Sequence, residues 1–314
     1  MLKPELTTIA ESILRQDCRS DETVKTLVPL KGGEWSAAYK FRADSRLFVL
    51  RLSHTPENFY RDKFAAQMSS PELPVPQIIK IGKYQDQYYA VSPFFDGEPF
   101  ETLSAIELEQ TIPCFLGMMT ALQSISMDST DGYGTITAKG QGAFRSWREA
   151  LLDISNDRPE NLTHGWKKIL TKDPEAERKY NRFYERLTEL VPFCPEQKHP
   201  VHSDLLYQNL LVHNHRISAV LDWGCAMIGD PVYDLAVFSF FDPWYPAFTE
   251  TNLVKKMCES YIVLSPDNAF NFEQRMIAYQ IHLTLGNIAF CALSEGKFDY
   301  NEHIDRLSML TATK

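Results

Sequence analysis

The octet His202-Ser203-Asp204-Leu205-Leu206-Tyr207-Gln208-Asn209 sets an aspartate and an asparagine five residues apart, and Asp222-Trp223 follows thirteen residues after Asn209. An aspartate within reach of a hydroxyl can orient it and take its proton. An asparagine and a second aspartate can share a magnesium ion, because Mg²⁺ takes oxygen ligands in an octahedron and keeps water and substrate phosphates in most positions. The chemistry these three side chains support together is phosphoryl transfer to a hydroxyl. Asp204 is then the candidate base, and Asn209 and Asp222 are the candidate metal ligands.

The octet alone is also what a capped turn beside a core histidine would give, since Asx side chains hydrogen-bond their own backbone. Its context favours the chemical reading. Leu210-Leu211-Val212 is an apolar run, His213-Asn214-His215-Arg216 a polar turn, and Ile217 to Leu221 a second apolar run that ends at Asp222. Two short strands around a polar turn form a hairpin. Folding the chain back this way brings Asn209 and Asp222 side by side at the open end, as a shared metal requires. His213 and His215 flank the turn with no cysteine or third histidine near them, which fits a structural role.

With Leu221-Asp222-Trp223 and Gly229-Asp230-Pro231-Val232-Tyr233-Asp234-Leu235-Ala236, the octet resembles the signature of the aminoglycoside phosphotransferases and their small-molecule kinase relatives. The resemblance extends nearly end to end. It takes in Lys3-Pro4-Glu5-Leu6-Thr7, Phe59-Tyr60-Arg61-Asp62, Leu73-Pro74-Val75-Pro76, the glycine-spaced loop from Asp131 to Gly142 before Trp147-Arg148, Ala226 to Asp230, and Pro243-Trp244. It implies an α+β, protein-kinase-like fold of two lobes, with a small antiparallel sheet in the N-terminal lobe and a mainly helical C-terminal lobe. It further implies ATP as phosphoryl donor, with GTP as an alternative, Mg²⁺ as cofactor, and an aminoglycoside acceptor, hygromycin B first among them.

Size and composition agree with two lobes sharing one site. The chain has 314 residues, 44% apolar and 23% charged, ordinary values for a soluble globular enzyme. No unbroken apolar run approaches the ~18 residues of a membrane span, and the first residues lack a signal-peptide pattern. Six dispersed cysteines (18, 114, 194, 225, 258 and 291) without a C-x-x-C pair fit reduced thiols of a cytoplasmic protein. The net charge of −9 argues against a nucleic-acid partner and favours a cationic one. A monomer with no membrane partner is expected.

The elements that must position the site follow from periodicity. Leu6, Ile9, Ile13 and Leu14 give a helix over Pro4–Gln16. Strand-like runs follow at Thr26–Leu30, Trp35–Arg42 and Leu47–Leu52, then a helix over Glu57–Met68, then a hairpin of Gln77–Tyr84 and Gln87–Ser92. Ser92-Pro93-Phe94-Phe95-Asp96-Gly97 punctuates the chain, so residues 1–95 are expected to form the first lobe and 96–314 the second. Beyond it helices are expected over Ala105–Ile125, Phe144–Ile154, Pro174–Leu190, Asp234–Phe241, Leu253–Leu264, Phe272–Leu293 and Asp299–Leu310. Only the catalytic hairpin interrupts them, and Met127 to Gly142 reads as one long loop.

For the nucleotide, Lys31-Gly32-Gly33-Glu34-Trp35-Ser36 lies between two strands, where Gly32, Gly33, Glu34 and Ser36 would cover the phosphates. An ordinary turn explains the glycines equally well. Leu50-Arg51-Leu52 points Arg51 away from its flanking leucines, and its guanidinium can grip phosphate with two hydrogen bonds. Asp62 is the acidic residue on the following helix that could pair with it. At the hinge, adenine would meet main chain near Ser92 and Phe94, with Val91 walling the pocket, since Pro93 has no N–H.

For a polycationic acceptor the candidates are Asp242, Glu295 and Asp299, with Trp244 or Tyr245 packing a sugar face. Each is equally a solvated helix end. The resemblance implies that His202 supports the loop, and Asp230 and Asp234 read as helix-capping and anchoring residues. Two other functions use the same residues: a kinase for another metabolite or antibiotic, and a non-catalytic nucleotide-binding pseudokinase. A protein kinase is disfavoured, because neither a D-F-G nor an A-P-E segment is identifiable.

Overall fold

The computed structural model describes residues 4–18, 26–30, 36–159, 163–294 and 300–312. Among these, the chain opens with a helix over Pro4–Cys18. Strands β1 (Val28–Pro29), β2 (Ala37–Ala43) and β3 (Arg46–Ser53) come next, then the helix Glu57–Ala65, which tightens into a single 3₁₀ turn. β4 (Lys80–Tyr84), β5 (Gln87–Pro93) and β6 (Glu98–Pro99) precede the helix Ala105–Gln123. β7 (Tyr133–Ile136), β8 (Gly142–Phe144), β9 (His199–Val201), β10 (Leu210–His213), β11 (Arg216–Val220) and β12 (Met227–Gly229) are spread among the later helices.

The chain divides into two compact units. The first comprises Met1–Ala121, Thr137–Gly140 and Asp204–Ala226; the second holds the remainder. A boundary at residues 95/96 was expected from the proline- and glycine-bearing hinge. The structure draws it elsewhere, because the hairpin carrying Asn209 and Asp222 bonds to β6, to the segment ahead of β4 and to the hinge itself. β6 pairs with β10 through Leu211↔Pro99 and Val212↔Glu98. Ser218 Oγ donates to the Asp96 carbonyl at 2.9 Å, and the Val220 N–H donates to the Pro74 carbonyl at 2.8 Å.

In the first unit, β1-β2-β3-β5-β4 form an antiparallel sheet. The β2–β3 connection is the two-residue turn Asp44-Ser45, both at positive φ (47° and 64°), the mirror-image turn whose twist suits a hairpin. Alternation along β3 sends Leu50 and Leu52 into a core with Ile13, Leu14, Tyr39, Phe41 and Tyr89, and leaves Arg51 on the opposite face. The helix Pro4–Cys18 closes that core through its apolar stripe, as its periodicity required.

The second unit is built on the 22-residue helix Phe272–Leu293. By length and composition this helix could cross a membrane, yet 56% of its most apolar stretch is buried in the folded chain. The other helices expected there form, and Pro174–Leu190 and Leu253–Leu264, like Phe272–Leu293, keep the expected bounds. Two expectations are corrected. The segment Met127 to Gly142 is not one irregular loop, since it contains β7, which pairs with β8. Nor is the catalytic hairpin the sole break in the helices: β8-β7-β12-β9 form a four-stranded sheet. These strands are three or four residues long, too short to leave an alternation legible in sequence.

Candidate active site

The hairpin β10–β11 turns through Asn214 and His215, both at positive φ (51° and 58°), so the two histidines beside Asn214 serve the turn. A bulge between Leu211 and Val212 throws Ser218 outward, where its hydroxyl reaches the hinge. The ladder continues past the last paired strand residues, with the Leu221 N–H donating to the Asn209 carbonyl at 2.7 Å. Asn209 therefore stands opposite the residue that precedes Asp222, as the folded-back hairpin predicted.

Asn209 also faces Asp204. Its Nδ2 donates to the Asp204 carbonyl at 2.7 Å and to Asp204 Oδ2 at 3.0 Å. A carbonyl can only accept, so the amide orientation is fixed and Oδ1 points the other way. Asp222 sits at φ 53°, outside the region most residues adopt, and its Oδ1 accepts the Gly224 N–H at 3.2 Å, capping the 3₁₀ turn Trp223–Cys225. Among the described residues no further hydrogen bond reaches Asn209 Oδ1 or Asp222 Oδ2. Both are hard oxygen donors of the kind Mg²⁺ takes, and two suffice when phosphates and waters complete the octahedron.

Electrostatics point the same way. Asp222 is open to solvent, yet surrounding protein pushes its carboxyl above the usual range, and the negative charge of Asp62 adds to the push. Arg51 and the Gly224 N–H pull it back only in part. A divalent cation beside Asp222 would relieve that surplus of negative charge. No group of three or more histidine, cysteine, aspartate or glutamate side chains able to hold a metal occurs among the described residues. The donor set fits Mg²⁺ shared with a nucleotide better than a zinc-type cage.

Arg51 pairs with Asp62 through Nη2 and Oδ2, which answers the register question that spacing left open. Burial would lower the Arg51 pKa, but Asp62 and Asp222 raise it, so the cation is secure. The other oxygen of Asp62 accepts the Trp223 N–H at 2.8 Å. Next to it, Arg61 Nη1 donates to the Gly224 carbonyl at 2.7 Å and to Asn58 Oδ1 at 3.1 Å. Gly224 leaves room for this approach: a Cβ there would lie 2.8 Å from Asn58 Nδ2 and 3.0 Å from Asp222 Oδ1 and would push those side chains aside. Helix Glu57–Ala65 is thus clasped to the turn that follows Asp222. Sequence reading missed Arg61 and Asn58, whose partners are main-chain groups more than 160 residues away or one turn along the helix.

Of the other nucleotide candidates, Gly32, Gly33 and Glu34 lie outside the described residues, and Ser36 immediately precedes β2. Val91 and Ser92 fall on β5, paired with Leu50 and Val49. At the hinge the structure narrows which main-chain groups could meet adenine. The Phe94 N–H donates to the Leu47 carbonyl at 3.0 Å, so it is already committed and leaves only its carbonyl to meet a base. Periodicity ends the strand at Ser92, whereas the ladder continues to Pro93 and consumes the next amide.

In the second unit His202 is fully buried. Asp234 accepts two main-chain N–H groups, from His202 at 3.0 Å and Ser203 at 2.7 Å, and so anchors the residues that lead into Asp204. Burial lifts its carboxyl to about 6 despite those two donors. Asp230 caps its helix through the Val232 N–H at 3.1 Å, and it also forms a buried fork with Arg275, Nε at 2.8 Å and Nη2 at 2.7 Å. Among the acceptor candidates, Asp242 Oδ2 takes a hydrogen bond from the Thr249 hydroxyl at 3.2 Å. Trp244, 40% exposed, stacks on Phe240 at 5.8 Å and on His303 at 6.3 Å. Tyr245 packs on Phe248. Glu295 and Asp299 lie outside the described residues.

With this geometry in place, comparison with known proteins is informative. The phosphotransferase enzyme family APH matches residues 26–256. Hygromycin-B 4-O-kinase of Escherichia coli is 28% identical over 301 residues, covering 95% of this chain and 83% of that protein. The crystal structure of aminoglycoside phosphotransferase APH(4)-Ia is 25% identical, with a TM-score of 0.83 and 98% of each chain covered. A thermostable mutant of that enzyme, in ternary complex with AMP-PNP and hygromycin B, gives 24% identity and a TM-score of 0.82, covering 96% of this chain and 98% of that one.

Proposed function

The chain belongs to the phosphotransferase enzyme family, and we propose that it moves the γ-phosphoryl group of ATP to a hydroxyl of an aminoglycoside, hygromycin B being the first acceptor to test. The observation that carries the reading is the linked set Asp204–Asn209 and Asp222, joined through Asp62 to Arg51. One side of it offers a base and the other an oxygen pair beside a cation.

Asp204 holds the acceptor hydroxyl in line with the γ-phosphorus and takes its proton as the new P–O bond forms and the bond to ADP breaks. Asn209 and Asp222 would hold Mg²⁺, which when bound would neutralise phosphate charge as the phosphoryl group moves. Arg51, oriented by Asp62, neutralises phosphate charge from the strand side. Asp234 keeps the backbone ahead of Asp204 in place. The net charge of −9 attracts a cationic acceptor at long range. The cysteines described are free thiols, so we assign the enzyme to a reducing cytoplasm, acting as a monomer.

Incubation of the purified protein with ATP, Mg²⁺ and an aminoglycoside panel tests this, with product mass and phosphate position read by mass spectrometry and NMR. The expected result is a monophosphate of hygromycin B carried on the 4-hydroxyl, the position for which the Escherichia coli relative is named. Mg²⁺-dependent turnover confined to acceptors of another class, or none at all, would overturn the acceptor assignment.

A further inference from the structure

Glu101 lies in the 3₁₀ turn Phe100–Thr102, directly after β6. Its Oε1 accepts the N–H of Gln208 at 2.6 Å, a contact spanning 107 positions of chain. Its Oε2 is buried and has no hydrogen-bond partner among the described residues. An orphaned carboxylate oxygen is an uncommon feature of a protein interior. Here the hydrogen bond that Glu101 does make with another residue is to the loop between Asp204 and Asn209.

That loop needs an external hold. Tyr207 and Gln208 stand in succession at φ 58° and 71°. Residues with a Cβ resist this region because the Cβ crowds the following carbonyl, and two in a row persist only where the surroundings fix them. Within the loop the Asn209 N–H closes a turn on the Leu206 carbonyl at 3.3 Å, which leaves the Gln208 N–H to an outside acceptor. A carboxylate supplies a short, charge-assisted bond to that N–H. Its own position is registered on the same hairpin, since β6 pairs with β10 immediately beyond Asn209.

We propose that Glu101 is a positioning residue for phosphoryl transfer: by gripping the Gln208 amide it fixes the backbone that presents Asn209 to both Asp204 and the metal. The inference rests on the phosphotransferase reading of Asp204 and Asn209. Glu101 touches neither nucleotide nor acceptor in this account and acts through Gln208.

Full-length Glu101→Ala and Glu101→Gln test it, with steady-state kinetics and hydrogen–deuterium exchange of the peptide holding residues 204–209. Displacing the loop by about an ångström lowers turnover roughly 10- to 100-fold, so Glu101→Ala is expected to lose that much kcat while KM for ATP stays within about threefold. Amide exchange at 204–209 should quicken with the rest of the chain unchanged. Glu101→Gln keeps an acceptor for the Gln208 N–H and is expected to recover kcat to within about fivefold of wild type. Two results would overturn the proposal. One is Glu101→Ala with kcat within twofold and unchanged exchange. The other is both variants equally impaired with exchange quickened throughout the chain, the mark of general destabilisation. If the unaltered protein phosphorylates no acceptor, the proposed function fails, while loop exchange still decides whether Glu101 holds the loop.

Discussion

Asp62 and Trp223 are joined by a 2.8 Å hydrogen bond from the Trp223 main-chain N–H to Asp62 Oδ1, while Oδ2 of the same carboxylate pairs with Arg51. One buried side chain thus ties the strand cation to the residue that follows the candidate metal ligand Asp222. In a kinase-type site the corresponding acidic residue is an orienter of the phosphate-binding cation. Here the same carboxylate also holds the turn that follows Asp222, so the two are coupled through one side chain. Arg61 and Asn58, one helical turn apart, reinforce the connection at Gly224.

Asp62→Ala should therefore fail in two ways at once. It removes one member of a buried ion pair and strands Arg51, which costs about 3 kcal/mol. It also frees the Trp223 N–H and loosens Asp222. Denaturant unfolding is expected to show the loss of stability, and calorimetry a weakened affinity for Mg·ATP. A stability loss with unchanged nucleotide affinity would reduce Asp62 to a packing role.

Asp204→Ala isolates the chemical step. Its removal leaves Asn209, Asp222 and Arg51 to bind nucleotide. Removing a general base lowers turnover by about 10²–10⁴-fold. Nucleotide affinity should stay close to wild type in the same calorimetric assay. Turnover within tenfold of the unaltered enzyme would sink the assignment of Asp204 as base.

Asp222→Ala should give the opposite pattern, with Mg·ATP affinity lost before any catalytic step is reached. With a single amide oxygen left, the protein offers Mg²⁺ too few ligands to compete with water. The raised pKa of Asp222 adds a pH prediction: metal-dependent nucleotide binding weakens on acidification as this carboxyl takes a proton. Titrations at several pH values, with and without Mg²⁺, measure both. Equal affinity for the variant and the wild type would remove Asp222 from the metal site.

How much of this was legible in the chain depends on the distance between partners. The hairpin carrying Asn209 and Asp222 could be read because its strands, turn and chemical residues are contiguous. The long helix Pro174–Leu190 was legible to the residue, and in the structure Asp173 caps its first turn and Pro174 stands at its start. Arg51 was legible from alternation with Leu50 and Leu52. Its bond to Asp62 was open, because the facing of a short helix depends on packing that no local spacing encodes. The links Arg61–Gly224 and Asp234–Ser203 were invisible for a different reason. Each joins a side chain to a main-chain group, and a main-chain partner leaves no residue type in the sequence to recognise. The β7–β8 and β9–β12 pairings escaped through their brevity, and the unit boundary because strand pairing outranks a proline-marked hinge.

Asp234 offers a test at the other end of the catalytic loop. Its carboxylate receives the N–H groups of His202 and Ser203, and burial raises its pKa from 3.8 to about 6. Between those two values the unfolded chain releases this proton and the folded chain keeps it. The group's contribution to stability therefore falls as pH rises through that window and is constant above it. Its effect on turnover runs the other way. Below about 6 the carboxyl is protonated, and one oxygen can no longer receive an N–H as well, so the segment leading into Asp204 loosens. The unaltered enzyme should thus show kcat falling on the acid side with an apparent pKa near 6, without a parallel loss of stability. Asp234→Asn removes the titration but sets an amide N–H₂ against one of the two main-chain donors. Leaving a buried donor unpaired costs about 1–3 kcal/mol, so turnover should drop about tenfold or more at neutral pH, with the acid limb near 6 gone. A variant that retains the same acid limb would assign that titration to another group.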